Sequence, residues 1–119
     1  MTIATNIIIS KSALNGVDFK ESIDLGLVCA AFDHRVSLIF TADGIFNLIP
    51  DQSYSNLRDK NQLDILKGLE FYDIENIYVE QESLANSTLE KSDLLPFVEV
   101  KTCYELLKIN LAADHLVEF

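Results

Sequence analysis

The stretch Leu38-Ile39-Phe40-Thr41-Ala42-Asp43-Gly44-Ile45-Phe46-Asn47-Leu48-Ile49-Pro50 constrains the fold more than any other part of the chain. From Val36 to Ala42 the residues show no regular polar alternation. Such a run fits a strand buried on both faces, as in a parallel sheet covered by helices. Asp43-Gly44 then marks a turn, and a short helix-like apolar run follows until Pro50 stops it. Ligands and partners of open α/β sheets gather where strands end, because the turns there carry free backbone N–H groups and helix N-termini. The segment therefore marks both the expected fold and the expected functional edge.

The rest of the chain extends this pattern. Ile3 to Ile9 reads as a first strand and Ser10 to Gly16 as a polar loop. Asp18 with Glu21 three residues later resembles a capping box, and Phe19, Ile23, Leu27, Ala30 and Ala31 share one helical face. Asp33-His34-Arg35 ends that helix before the second strand. Asp51 to Asp59 is a low-hydrophobicity stretch expected to form a mobile loop, and Leu63, Leu66 and Leu69 predict a helix from Asn61 to Phe71. Ile77 to Glu80 gives a third strand, and Glu82 to Leu95 a polar crossover. Pro96 to Lys101 alternates with period two, as a half-exposed strand near a sheet edge does. Thr102 and Glu105 form a second capping box, Cys103, Leu106, Leu107 and Leu111 share a helical face, and His115 to Phe119 is a last strand. Alternating strands and helices imply right-handed crossovers. The expected fold is a single α/β domain over 1–119, a three-layer α/β/α sandwich on a five-stranded, mainly parallel sheet.

A chain of 119 residues can bury roughly two-thirds of its unfolded surface. Its 49% hydrophobic content lies at the top of the usual range and leaves apolar residues over for a protein–protein interface. The net charge of −10 is uneven: between Glu70 and Glu99 eight acids face one base, Lys91. That acidity argues against direct nucleic-acid or anionic-membrane binding. It fits a solvated surface or the docking of a basic partner protein. Cys29 and Cys103 lie far apart and form no disulfide framework, which fits a reducing cytoplasm. No cationic segment precedes the first apolar run, and no run nears ~18 apolar residues, so neither a signal peptide nor a transmembrane span is expected.

Little catalytic chemistry is visible. Ser10 to Gly16 holds one glycine, which does not make a phosphate-binding loop. His34 and His115 stand alone in sequence, and no Cys/His cluster has metal-ligand spacing, so no metal or cofactor is expected. Cys103, at the start of a helix, has two readings: a thiol activated by free N–H groups, or an apolar residue continuing the stripe of Leu106 and Leu107. Cys29 sits among Leu27, Val28, Ala30 and Ala31 and reads as packing. Asp24 and Asp43 make only a weak acid–base pair, since Asp43 is better explained as the cap of the short helix after it, shaping the turn with Gly44. Tyr72-Asp73-Ile74-Glu75 reads either as an ordinary connection or as an interface anchor. The expected partner contacts are Asp43, Gly44, Phe46, Tyr72 and Asp73, with no catalytic residue.

Two segments also resemble a known family. Phe40 to Pro50 is similar to the F-x-A-D-G-[VI]-F-x-L-x-P stretch of the TusC/DsrF branch of the DsrE-like sulfur-relay proteins. Phe71-Tyr72-Asp73-Ile74-Glu75-Asn76-Ile77-Tyr78-Val79, with Ser83-Leu84 after it, resembles that branch's L-Y-D-I-E element. Glu21, Asp24 and the aromatic Phe119 match as well. The resemblance implies one subunit of a heterohexamer built with paralogous TusB-like and TusD-like chains. Such a complex passes persulfide sulfur from an upstream to a downstream carrier, toward the 2-thio group of a tRNA wobble uridine. It also implies that the carrier cysteine belongs to the TusD-like subunit. Where relatives of this branch can carry third-strand cysteines, this chain has Ile77 and Glu80. A carboxylate holds no persulfide, so the subunit reads as non-catalytic. The alternatives are a stand-alone sulfurtransferase using Cys103 and a small-molecule-binding domain around Asp43 and Gly44.

Overall fold

Three of the four strand-to-strand connections begin and end on neighbouring strands running one way across the sheet; the fourth goes back across it. The computed structural model describes residues 2–12, 18–49, 68–74 and 76–119. Its strands are β1 (Ala4–Ile9), β2 (Arg35–Phe40), β3 (Asn76–Glu80), β4 (Glu99–Lys101) and β5 (His115–Glu118). They lie in the order β4-β3-β2-β1-β5, and every pairing is parallel. The helices are α1 (Asp18–Ala31), α2 (Gln81–Ala85) and α3 (Cys103–Leu111), with 3₁₀ turns at Ala42–Leu48, Leu69–Tyr72 and Lys91–Asp93. The expected loop over 51–59 and most of the expected helix from Asn61 lie outside the described residues.

Right-handed crossovers place connections that advance in one direction on one face, and a connection that returns on the other. The buried cluster follows that rule. Ile7, Ile9, Val36, Leu38, Phe40, Ile77 and Val79 point to one face. There they meet Phe19 and Ile23 of α1, Leu69 and Ile74 before β3, and Leu84, Leu94, Leu95 and Val98 from the β3–β4 crossover. Each fully buried side chain of this kind contributes roughly 1.5–3 kcal/mol of hydrophobic stabilisation. The opposite face carries Asn6, Ile8, Ser37, Ile39, Asn76 and Tyr78, and α3 rests on it. Asn6 Nδ2 donates to Ile109 O at 3.3 Å and to Asn110 Oδ1 at 2.9 Å.

The Thr102–Glu105 capping box forms as the sequence predicts, opening α3. The apolar stripe expected on that helix does not pack. Leu106 is the one buried residue of α3, while Cys103, Leu107 and Leu111 are exposed. The reason lies beneath it: the sheet under α3 is half polar, so the helix has little apolar surface to cover.

The start of the 3₁₀ turn also differs from expectation. Thr41, not Asp43, holds the cap position, and no side chain of its own segment caps it. Instead Ser83 Oγ accepts the Ala42 N–H at 2.9 Å from across the sheet edge. Gly44 lies where the backbone of β1 ends, and a Cβ there would collide with the Ile9 carbonyl oxygen. Gly44→Ala is therefore expected to cost about 2–3 kcal/mol through overpacking. In Gly26→Ala the added methyl meets only the side chains of Ile7, Leu38 and Ile74 at 3.5–3.7 Å. That change is expected to be neutral or to stabilise by up to ~1 kcal/mol through helix propensity. Urea denaturation of the two variants gives the order, and equal stabilities would refute the collision.

Candidate functional site

The C-terminal ends of β2, β3 and β4 bring together Asp43, Glu80, Glu82, Ser83, Thr102 and Cys103. Ser83 Oγ donates to Glu80 Oε1 while it accepts the Ala42 N–H. Glu82, in the first turn of α2, reaches the start of α3, where its Oε1 accepts the Cys103 N–H at 3.0 Å. The same carboxylate governs the protonation of the Cys103 thiol. Asn47 ties the 3₁₀ turn to the segment after β1, donating from Nδ2 to Lys11 O at 2.9 Å.

This geometry sets the chemistry of Cys103. The hydrogen bond to Glu82 raises the thiol pKa above its ordinary value, with burial and the Glu82 and Glu80 charges adding to the rise. The Tyr104 N–H at the helix start acts in the opposite direction and loses. The same bond lowers the pKa of Glu82, and bonds to the Thr102 backbone and hydroxyl lower that of Glu105. A helix N-terminus alone favours a thiolate. Here a carboxylate occupies that position first, so the exposed Cys103 thiol has its pKa raised and not lowered.

The residues expected at a partner interface do not form one patch. Asp43 is exposed, Gly44 is buried against β1, and Phe46 is half-buried against the core cluster, all beyond the C-terminal end of β2. Tyr72 is exposed beside Asp73, whose φ is 65°, just before β3 begins. The two groups sit at opposite ends of the sheet, separated by strands of roughly 20 Å. Asp24 is exposed on α1, and no interaction joins it to Asp43 among the described residues. Cys29 is half-buried and packs against the core.

The two histidines, isolated in sequence, meet in the fold. His115 pairs in register with Thr5, and its ring stacks on that of His34 with centroids 6.3 Å apart. His34 Nδ1 lies 3.0 Å from Thr5 Oγ1. Among the described residues no group of three or more His, Cys, Asp or Glu is placed to hold a metal, and no helix is long and apolar enough to cross a membrane. The Glu82–Cys103 contact spans 21 residues, and only the pairing of β3 with β4 brings the two together, so no local spacing announces it.

Residues 7–119 match the sequence profile of the DsrE/DsrF-like family. A TusC homolog from Vibrio vulnificus is 35% identical over 100 residues, covering 84% of this chain and 85% of that protein. A TusC homolog from Pseudomonas aeruginosa is 33% identical over 94 residues, 79% of each chain. The intracellular sulfur oxidation protein DsrF of Allochromatium vinosum is 30% identical over 98 residues, 82% of this chain and 68% of its own. Among solved structures, the ychN protein of E. coli superposes with a TM-score of 0.77 over all of both chains at 18% identity.

The Cys103 environment makes a direct prediction. Site-resolved alkylation with iodoacetamide should show a pH midpoint for Cys103 above the ordinary thiol value of 9.0. Because the raised value comes mainly from Glu82, Glu82→Gln should lower that midpoint and speed alkylation at pH 8. An unchanged profile in the variant would place the control of the thiol elsewhere.

Proposed function

Because the chain belongs to the DsrE/DsrF-like family, we propose that it is a non-catalytic structural subunit of a hetero-oligomeric sulfur-relay complex. It assembles with TusB-like and TusD-like chains, as a heterohexamer in the cytoplasm. The complex passes persulfide sulfur toward the 2-thio group of a tRNA wobble uridine. The relatives named TusC homolog and DsrF support the sulfur-relay role. The observation that carries the non-catalytic assignment is the Glu82–Cys103 contact. A persulfide carrier attacks as a thiolate, and here the carboxylate beside the exposed thiol raises its pKa where a carrier needs it lowered. Glu80 at the end of β3 is a second carboxylate, tied up by Ser83.

Assembly has apolar surface to use. Leu107 and Leu111 on α3 and Leu116 on β5 are exposed, as are Val28 and Phe32 on the opposite layer and Tyr72 before β3. Exposed groups of this size favour partner contacts over solvent. Asp43 and Phe46 at one end of the sheet, and Tyr72 and Asp73 at the other, serve as separate contact points for different neighbours. Gly44 supports the first of these by letting the turn pack on β1.

Co-expression with the two paralogous chains, followed by size-exclusion chromatography with light scattering, tests the assembly. A complex containing all three is expected; a chain that stays monomeric beside both paralogues overturns it. Phe46→Ala should weaken that complex more than it lowers the melting temperature of the isolated chain. The chemistry is tested separately in cells. Cys103→Ser and Cys29→Ser should each leave tRNA 2-thiouridine, measured by mass spectrometry of digested tRNA, within about twofold of wild type, a difference of less than ~0.5 kcal/mol in any rate-limiting barrier. Loss of thiolation with an intact complex overturns the non-catalytic role.

A further inference from the structure

The face of the sheet that α3 only partly covers holds a groove in which several polar groups keep bonding capacity that the fold does not use. In register across the three central strands lie Asn6, Ser37 and Asn76, neighbours at roughly 4.8 Å spacing. Arg35 and Tyr78 stand two residues away on the same face, which alternation along a strand requires. With Ala4 and the C-terminal end of α3 (Ile109, Ala112, Ala113) they line a hollow of about 240 Å³. Its size is room for about eight water-sized groups at ~30 Å³ each.

Ser37 is 5% exposed, and its hydroxyl has no hydrogen-bond partner among the described residues. Asn6 is 2% exposed; it donates twice to α3, yet its side-chain carbonyl receives no hydrogen bond from any described residue. Buried polar atoms without partners are uncommon, and each costs stability unless something else satisfies it. The Arg35 guanidinium, at the mouth, has no ion pair among the described residues. In a chain of net charge −10, no acid among the described residues lines this hollow.

We propose that this groove binds a free α-amino acid. The planar fork of Arg35 matches a carboxylate, and the Ser37 hydroxyl and the Asn76 amide can donate to the same group. The Asn6 carbonyl and the negative end of the α3 dipole suit the ammonium. The remaining space, beside Tyr78 and the two alanines, accepts a small side chain. This assignment is independent of the sulfur-relay role, because it uses the face opposite α1 and none of the groups around Cys103.

The test is titration of the full-length ¹⁵N-labelled chain with glycine, L-alanine, L-glutamine, sodium acetate and ethylammonium chloride, followed by NMR and repeated on the assembled complex. An amino acid is expected to shift the Ser37 and Asn76 amides saturably, and acetate or ethylammonium to bind at least about tenfold more weakly. Arg35→Gln, at an exposed position, should weaken amino-acid binding about tenfold or more. Ser37→Ala should weaken binding while leaving the melting temperature equal or higher, since it deletes an unsatisfied hydroxyl. Three results with the wild-type chain overturn the proposal: no saturable shift at about 20 mM of any amino acid, equal binding of acetate, or loss of the site on assembly, which would make the groove a subunit contact. If Ser37→Ala lowers the melting temperature and leaves binding unchanged, the hydroxyl serves the fold and the proposal fails.

Discussion

The handedness of parallel crossovers governs this molecule. With the strand order β4-β3-β2-β1-β5, the connections from β1 through β4 all advance one way and must lie on one face, while the return to β5 must cross the other. One face therefore receives α1 and the described parts of two further crossovers, and it collects the continuous core. The other receives α3, a helix of nine residues. At ~1.5 Å per residue that helix is roughly 14 Å long, too short to cover a five-stranded sheet. The polar row Asn6, Ser37 and Asn76 is the consequence, on the same three strands whose inner face is apolar apart from Thr5. Ile39 is buried on that second face, while α3 exposes two of its leucines.

The pairing of β3 with β4 creates the edge around Cys103. It sets the helices that follow these two strands side by side, so that Glu82 of α2 meets Cys103 at the start of α3. Two opposing influences then act on one thiol. The helix terminus draws negative charge toward itself, and the carboxylate has already supplied it. A thiol loses its proton most readily where positive potential is unmet, and here it is met. The acid that raises the thiol pKa also accepts the first N–H of α3.

Close approach of backbones explains the most distinctive local string. Asp43-Gly44 reads from sequence as a turn with free groups offered to a partner. In the fold, Gly44 is consumed internally, because the end of β1 passes where its side chain would be. The Ala42 N–H is likewise taken by Ser83. What remains available there is Asp43, with Phe46 held half in the core.

The amino-acid sequence by itself determined the strands, the start of α1, the capping box of α3, the parallel α/β class and the family resemblance. Those features are local: an unbroken apolar run, a helical spacing and a Thr–Glu pair each act within a few residues, and their physics needs no distant partner. The tertiary structure decided what meets across long separations. It stacked His34 on His115, joined Glu82 to Cys103, separated Tyr72 and Asp73 from Asp43 and Phe46 by the length of the sheet, and left α3 with one buried residue. Periodicity says that a helix has an apolar stripe, but only the surface beneath it says whether that stripe is buried. Here strand order and crossover hand set that surface, and no window of sequence contains them.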